Sequence, residues 1–290
     1  MPELSILKRL SQQEDLNFLL TNRIPRRYAT LFMGWFSRIG NPLVRDLTLT
    51  IWKLFADDLD LSEAKKKKFS SLHDCFIREL KPDARQINTD PNIIVSPCDA
   101  IIGAHGKING TELIQAKGFP YTLKDLLVDD RLVAKYKNGL YVTLRLKSTM
   151  YHRFHAPYAG KVSEVTYISG DTWNVNPIAL KRVEKLFCKN ERAVVNIKLE
   201  RSKASITLVP VAAILVASLK FKFLAETLSL KYKGPNRISC QASFRKGDEL
   251  GYFQHGSTVI VFATNEVKIA EGVKEGNRIR MGESLFAHID

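Results

Sequence analysis

Residues 248–262 read DELGYFQHGSTVIVF, and in this stretch Gly256-Ser257-Thr258 lies between two apolar runs. Taken alone, such a turn favours a β-hairpin. The glycine allows a second interpretation, because a residue without Cβ leaves its own carbonyl open to attack and tolerates strained backbone angles. An activated Ser257 would then attack the carbonyl of Gly256 and cut its own chain.

The pattern changes along the chain from helical to strand-like. The apolar residues of 31–39 recur at helical spacing, Gly40-Asn41-Pro42 breaks that helix, and a second stripe follows over 44–55. From about residue 90, short runs rich in branched and aromatic residues predict strands at 140–144, 194–199 and 205–209, with an alternating strand at 220–223. We therefore predict an α+β protein, with a helical segment over 1–85 and a β-rich domain over 86–290.

Composition limits the partners. The 290 residues include 44 Lys and Arg against 30 Asp and Glu, a net charge of +14, which favours an anionic partner: nucleic acid or an acidic membrane surface. The four cysteines form no CxxC pair, which favours a reduced, cytosol-facing protein and gives no metal site. No signal-peptide core and no apolar run of about 18 residues is found, so we expect no spanning helix.

Residues 26–55 interleave aromatic and basic side chains. Trp35, Phe36, Trp52 and Phe55 accompany several arginines, a pattern typical of a helix that lies in a membrane interface. An amphipathic helix packed on its own domain has the same pattern, and both alternatives stay open at this point.

Two polar motifs precede the Gly-Ser bond. Asp99 ends Ser-Pro-Cys-Asp after an apolar run, where a turn carboxylate is the alternative. His152 and His155 lie in Tyr-His-Arg-Phe-His-Ala-Pro, and they would also suit a polar cluster or a metal site, although no third ligand lies nearby in sequence. Together with Ser257, these residues supply the hydroxyl, imidazole and carboxylate that activate a serine nucleophile.

The order of these motifs resembles the phosphatidylserine decarboxylase family. The resemblance covers roughly residues 70–290 and includes Gln-Ala-Lys-Gly at 115–118. Four positions depart from the family pattern. Gln86 stands where the family usually has proline, Ala100 and Ala212 stand where it has glycine, and His255 replaces an apolar residue before Gly-Ser.

The resemblance implies an enzyme, a carboxy-lyase that converts phosphatidylserine to phosphatidylethanolamine. Self-cleavage between Gly256 and Ser257 would turn Ser257 into a covalent pyruvoyl group, the residue that forms a Schiff base with the substrate amine. By the same resemblance, Asp99 and His155 would activate Ser257 for cleavage, and His152 would serve the substrate and proton transfer during decarboxylation.

The resemblance also implies partners and a location. The cleaved large and small chains would stay together as a heterodimer that dimerises again, bound peripherally to the cytoplasmic side of the cell membrane and not to nucleic acid. Two other functions remain open: a serine hydrolase built on the same three residues, although no Gly-x-Ser-x-Gly elbow surrounds Ser257, and a non-enzymatic nucleic-acid or lipid binder driven by the charge, although no RNA-binding signature is present.

Overall fold

The computed structural model describes residues 13–56, 58–115, 119–215, 218–254 and 257–289. The helices of the described part are α1 (Glu14–Asn22), α2 (Arg26–Phe36), α3 (Pro42–Phe55), α4 (Leu72–Phe76), α5 (Leu123–Leu127), α6 (Asp130–Tyr136), α7 (Pro177–Leu180) and α8 (Leu186–Lys189). The strands are β1 (Ile93–Val95), β2 (Ala100–Lys107), β3 (Glu112–Gln115), β4 (Phe119–Thr122), β5 (Leu140–Leu146), β6 (Arg153–His155), β7 (Gly160–Ile168), β8 (Arg192–Leu199), β9 (Ser205–Ala212), β10 (Ser218–Phe221), β11 (Thr227–Ser229), β12 (Arg237–Phe244), β13 (Glu249–Phe253), β14 (Ser257–Ala263), β15 (Val267–Ile269), β16 (Arg278–Ile279) and β17 (Ser284–His288). The predicted α+β class is confirmed in its coarse form, as helices at the amino-terminal end and a β-rich body.

The two predicted amino-terminal helices are present, and the break between them lies where the sequence places it. The side chain of Asn41 accepts hydrogen bonds from the backbone N–H groups of Leu43 and Val44, and Pro42 occupies the first turn of α3. An Asn cap followed by proline starts a helix because the cap satisfies free N–H groups and the proline ring fixes φ.

An antiparallel sheet of eight strands forms the body, in the order β12-β7-β8-β9-β14-β5-β2-β16. Along β14, Val259 and Val261 pack into one apolar cluster, and Ile260 and Phe262 pack into a second one. Successive side chains of a strand point to opposite faces, so both faces of this sheet are covered by core. This explains why β14 is buried along its whole length and reads as a continuous apolar run.

The hairpin interpretation of residues 248–262 is wrong. Strand β13 pairs with β10 and β6 in a four-stranded sheet of order β11-β10-β13-β6, whereas β14 pairs with β5 and β9 in the large sheet. The chain therefore changes sheets between Phe253 and Ser257 instead of pairing the two strands as a hairpin. Smaller sheets, β1-β17-β15 and β3-β4, complete the body.

The other strand predictions hold with one adjustment. The runs at 140–144, 194–199 and 205–209 fall inside β5, β8 and β9, while β10 takes only the first half of 220–223. The division into segments 1–85 and 86–290 stays a prediction.

Candidate active site

Ser257 is the first residue of β14, a central strand of the large sheet, and so lies at one end of that strand. Its cross-strand partners are Leu146 of β5 and Ala212 of β9. The residue is fully buried, and its Oγ has no hydrogen-bond partner among the described residues. A buried hydroxyl without a partner is costly, which makes it a candidate for chemistry. His255 and Gly256 lie outside the described residues.

His152 lies at the same end of the sheet as Ser257. The backbone N–H of Phe253, four residues before Ser257, donates to the carbonyl oxygen of His152 at 3.0 Å. Leu146, six residues before His152, pairs with Ser257 across the sheet. The His152 ring packs on Phe76, with ring centroids 4.0 Å apart, and its Nδ1 lies 2.8 Å from the carbonyl oxygen of Met150. Because a carbonyl only accepts, Nδ1 carries a proton and Nε2 is the nitrogen that can accept or return one.

His155 lies in β6, and both of its ring nitrogens have partners. Nδ1 donates to the carbonyl oxygen of Gly247 at 2.9 Å, and the hydroxyl of Tyr151 donates to Nε2 at 3.0 Å. Burial lowers the pKa of the ring, against a weaker opposing effect of the Gly247 carbonyl and of the Glu249 and Asp99 charges. The ring is therefore held in the neutral tautomer that a general base requires.

Asp99 is held by Arg85 and not by His155. The Arg85 guanidinium donates to both carboxylate oxygens, with Nε 2.9 Å from Oδ1, and the backbone N–H of Met281 donates to the same oxygen at 2.9 Å. The backbone nevertheless links the two motifs, since the N–H of His155 donates to the carbonyl oxygen of Pro97 at 2.7 Å. The structure thus places His155 of β6 next to the turn that carries Asp99. Among the described residues, no chain of hydrogen bonds links Asp99 to His155 and His155 to Ser257. Their roles stay predictions.

Sequence reasoning missed Arg85 and Tyr151 as functional residues. Tyr151 stands inside the histidine motif, and Arg85 lies near the start of the region of family resemblance, so each had a weak signal. A bidentate guanidinium fixes the carboxylate of Asp99, and the Tyr151 hydroxyl fixes the orientation of the His155 ring.

Two cavities meet beside Ser257. A cavity with a mixed polar and apolar lining, called the Ser257 cavity, has a volume of about 360 Å³ and is lined by Arg145, Leu146, Lys147, Ser148, Asn174, Val175, Asn176, Ala213, Ile214, Leu215 and Ser257. A largely apolar cavity of about 480 Å³ is lined by Met33, Phe36, Thr48, Ile51, Trp52, Leu72, Phe76, Ser148 and Leu215. Since Ser148 and Leu215 line both cavities, the space next to Ser257 continues into an apolar space between helices α2 and α3 and the body.

The amino-terminal helices are hydrogen bonded to residues that line the Ser257 cavity. Thr30 of α2 accepts a hydrogen bond from the backbone N–H of Leu215 at 3.0 Å, and Asn22 accepts one from that of Asn174 at 3.0 Å. Arg26 binds Asp171 with both Nε and Nη2 and lies 3.7 Å from the centre of the Trp173 ring. The helical segment therefore packs on the body and supports the site, in line with one of the two alternatives that the sequence left open.

Two of the family departures are compatible with the backbone. Ala100 and Ala212 are buried in β2 and β9, and neither is among the described non-glycine residues with positive φ. The glycine that the family carries at these positions is not needed here for conformational freedom. The described residues contain no cluster of three or more His, Cys, Asp or Glu side chains that could hold a metal ion.

The lowered pKa of His155 predicts how self-cleavage depends on pH. In the predicted role of His155 the unprotonated ring is the base, and its folded pKa lies below the ordinary value of 6.5, so the cleavage rate is expected to stay flat from alkaline pH down to that value. Below it, protonation removes the base and the rate falls. The measurement is the appearance of the small fragment from freshly translated precursor at a series of pH values, with circular dichroism to show that the fold persists. A rate that already falls between pH 8 and pH 7 would contradict the assignment.

Comparison with known proteins supports the sequence resemblance. The profile described as phosphatidylserine decarboxylase matches residues 72–287. The chain is 32% identical over 285 residues to a protein of Saccharophagus degradans, covering 94% of this chain and 97% of that protein. It is 34% identical over 270 residues to one of Brevibacillus brevis (92% and 95%) and 39% identical over 227 residues to one of Clostridium beijerinckii (78% and 71%). Each of the three is named a phosphatidylserine decarboxylase proenzyme. With Ser257, His152, His155 and Asp99 all at one end of the β-rich body and the profile covering most of the chain, this protein belongs to the phosphatidylserine decarboxylase family.

Proposed function

We propose that this chain is a proenzyme that cleaves itself between Gly256 and Ser257 and then decarboxylates phosphatidylserine to phosphatidylethanolamine. The observation that carries the proposal is the buried Ser257 hydroxyl, which has no partner among the described residues and lies at the point where the chain changes sheets, in a member of this family. Intact-mass measurement tests it. We expect a fragment of residues 1–256 and a fragment of 34 residues, the difference between 290 and 256.

Self-cleavage follows from the chemistry of the residues at this end of the sheet. His155 accepts the proton of Ser257 after the Tyr151 hydroxyl leaves Nε2, and the serine oxygen attacks the Gly256 carbonyl carbon. The proton then passes from His155 to the nitrogen of residue 257 as the Gly256–Ser257 peptide C–N bond breaks, which leaves an ester and a free amine. Loss of the α-proton of residue 257 then breaks the ester C–O bond, which releases a carboxylate at Gly256. Water replaces the nitrogen of residue 257, which departs as ammonia. The Arg85-bound Asp99 holds the turn against which His155 is hydrogen bonded.

The site fits a pyruvoyl group at residue 257. The position is fully buried, the neighbouring strands fix the backbone on both sides, and Ser257 lines the Ser257 cavity. A pyruvoyl carbonyl supplies an electron sink for carbon dioxide loss, as other carbonyl cofactors do. We assign the return of a proton to the substrate carbon to Nε2 of His152, which lies at the same end of the sheet.

Cleavage leaves the two chains associated. The carboxy-terminal fragment contributes β14 to the centre of the large sheet, β16 to its edge next to β2, and β17 between β1 and β15. Separating the fragments would expose both apolar clusters, so a heterodimer of the cleaved chains is the stable product. Further dimerisation of this pair stays a prediction.

The paired cavities suit a phospholipid. A charged headgroup would meet the cations Arg145 and Lys147 in the Ser257 cavity, and an acyl chain suits the adjoining apolar cavity between the helices and the body. This arrangement supports phosphatidylserine as the substrate rather than a small soluble amino acid.

The amino-terminal helices provide a face for a membrane surface. Among the described residues, most of the large apolar side chains that remain exposed lie in α1, α2 and α3: Leu19, Leu20, Tyr28, Phe32, Trp35, Leu43, Leu47, Ile51 and Leu54. No helix in the described ranges is long and apolar enough to cross a bilayer. Apolar side chains on short helices, in a chain of net charge +14, support peripheral attachment to the anionic cytoplasmic side of the cell membrane.

Replacing the exposed leucines of α3 tests this attachment. Leu43 is 82% exposed and Leu47 is 61% exposed, so Leu43→Glu with Leu47→Glu removes apolar contact without disturbing the core. We expect the double variant to float with phosphatidylserine-containing liposomes much less than the original chain, because buried charge near acyl chains is costly. Trp52 is unsuitable for this test, since its ring stacks on Phe76 at 6.1 Å instead of facing outward.

The control for flotation is Ile289→Glu, a change at an apolar residue of similar exposure that lies outside the helices. It is expected to float normally. Equal flotation of the double variant and the control would end the assignment of α3 to the membrane.

A further inference from the structure

Arg145 lines the Ser257 cavity and has no acidic partner among the described residues. It is half-buried, and none of the ion pairs or hydrogen bonds of the described residues involves its guanidinium. The other cation of the cavity differs, because Lys147 is ion-paired with Asp58, which also binds Arg278 at 3.1 Å. Arg145 is therefore the uncompensated cation of this cavity among the described residues.

A second polar group without a partner lies directly across the sheet from Arg145. Thr258 of β14 pairs with Arg145 of β5, so their side chains share one face of the sheet. Thr258 is fully buried, and its Oγ1 has no hydrogen-bond partner in the described part of the chain. Cross-strand Cβ atoms lie about 4.5–5.5 Å apart, close enough for a guanidinium and a hydroxyl to share one ligand.

Both groups are hydrogen-bond donors, and together they suit an anion. An Arg fork matches the geometry of phosphate or carboxylate oxygens, and a hydroxyl adds a further donor. Burying an unpaired charge is unfavourable, and the burial of Arg145 lowers the pKa of its guanidinium with no carboxylate to oppose the shift. An anionic ligand in the cavity would remove this cost.

The position of the pair relative to Ser257 identifies the ligand. Thr258 follows Ser257 directly, so the side chains of Ser257 and Arg145 point to opposite faces of the sheet. The cavity lies at the ends of these strands and is lined by both residues. In the substrate, a short carbon chain and one ester oxygen separate the reacting amine from the phosphate. A lipid whose amine lies at residue 257 has its phosphodiester within reach of a long side chain on the neighbouring residue pair.

Resting on the proposed function, we propose that Arg145 binds the phosphodiester of the phospholipid headgroup. The phosphate keeps its charge from substrate to product, so binding it holds the lipid without resisting the reaction. An ion pair with the departing carboxylate would instead stabilise the substrate more than the transition state, in which that charge is lost.

Kinetics with dihexanoylphosphatidylserine below its micelle concentration test the assignment without a membrane. Arg145→Gln is expected to self-cleave normally and to raise KM roughly ten- to hundredfold with little change in kcat, the effect of losing one charge-assisted hydrogen-bonding group. The inhibition constant of dihexanoylphosphatidylethanolamine, which keeps the phosphate but lacks the carboxylate, should rise by the same factor. Arg145→Lys should restore part of both, and the control Lys198→Gln, at an exposed lysine of β8, should change neither.

Three results would overturn the proposal. An Arg145→Gln enzyme with a raised KM and an unchanged phosphatidylethanolamine inhibition constant would assign Arg145 to the carboxylate. Unchanged values of both would remove it from binding. If the variant fails to fold, the original enzyme still decides, because ethanolamine inhibiting as strongly as glycerophosphoethanolamine would show that the phosphodiester is not bound. Failure of the proposed function is separate, as it would appear as an original chain that neither cleaves nor releases carbon dioxide.

Discussion

Ser257→Ala is expected to give a single uncleaved chain with no detectable decarboxylase activity. The alanine lacks the oxygen that attacks Gly256, and it cannot become the carbonyl group that the reaction uses. Because Ser257 is buried and its Oγ makes no hydrogen bond among the described residues, removing that oxygen leaves no donor or acceptor unsatisfied. The variant should therefore fold at least as well as the original chain, and its loss of activity is chemical. Intact-mass spectrometry and carbon dioxide release from phosphatidylserine measure the two outcomes.

The matched control is Ser205→Ala, which makes the same change at the first residue of the adjacent strand β9. This variant is expected to cleave and to decarboxylate. Two fragments from Ser257→Ala would place the nucleophile elsewhere. An original chain that stays intact but reacts with acyl-serine probes would favour a serine hydrolase instead.

His155→Ala and His152→Ala are expected to separate self-cleavage from decarboxylation. Without the neutral His155 ring, Ser257 loses its base, and cleavage should slow by about 10²–10⁴-fold, the usual contribution of a positioned acid or base. His152→Ala should still cleave, because the hydrogen bonds that position His155 come from Tyr151 and Gly247. Its decarboxylation rate should fall by about 10²–10⁴-fold, since the proton donor for the substrate carbon is gone. Cleavage is followed by mass and decarboxylation by carbon dioxide release, per cleaved chain.

The control for these variants is His105→Ala. His105 lies in β2 and its Nδ1 also contacts a backbone carbonyl, that of Gly103 at 3.1 Å, but it belongs to neither motif. It should retain both activities. Cleaved, active His155→Ala protein would show that another group activates Ser257, and an uncleaved His152→Ala chain would move His152 into processing.

Much of the fold could be predicted from local patterns. The helix break at Gly40-Asn41-Pro42 rests on a cap and a proline, and the strands β5, β8 and β9 rest on short runs of branched residues; both signals act over a few residues. The site residues were found in the same way, since Asp99, His152, His155 and Ser257 each stand in a short motif. Pairing was harder to foresee. The two runs around Gly256-Ser257 looked like a hairpin because sequence neighbours usually pair, yet β13 and β14 belong to different sheets.

The sequence by itself determined several strands, the polar motifs and the family of this protein. A strand run or a motif depends on residues close together in the chain, and the family resemblance depends on the order of those motifs along it. Only the tertiary structure decided which distant side chains meet. Arg85 binds Asp99, Thr30 receives the backbone N–H of Leu215 from 185 residues away, and Arg145 faces Thr258 across the sheet without an acidic partner among the described residues. Such contacts depend on strand register and on helix docking, and these are set by the burial of the whole core rather than by any local signal.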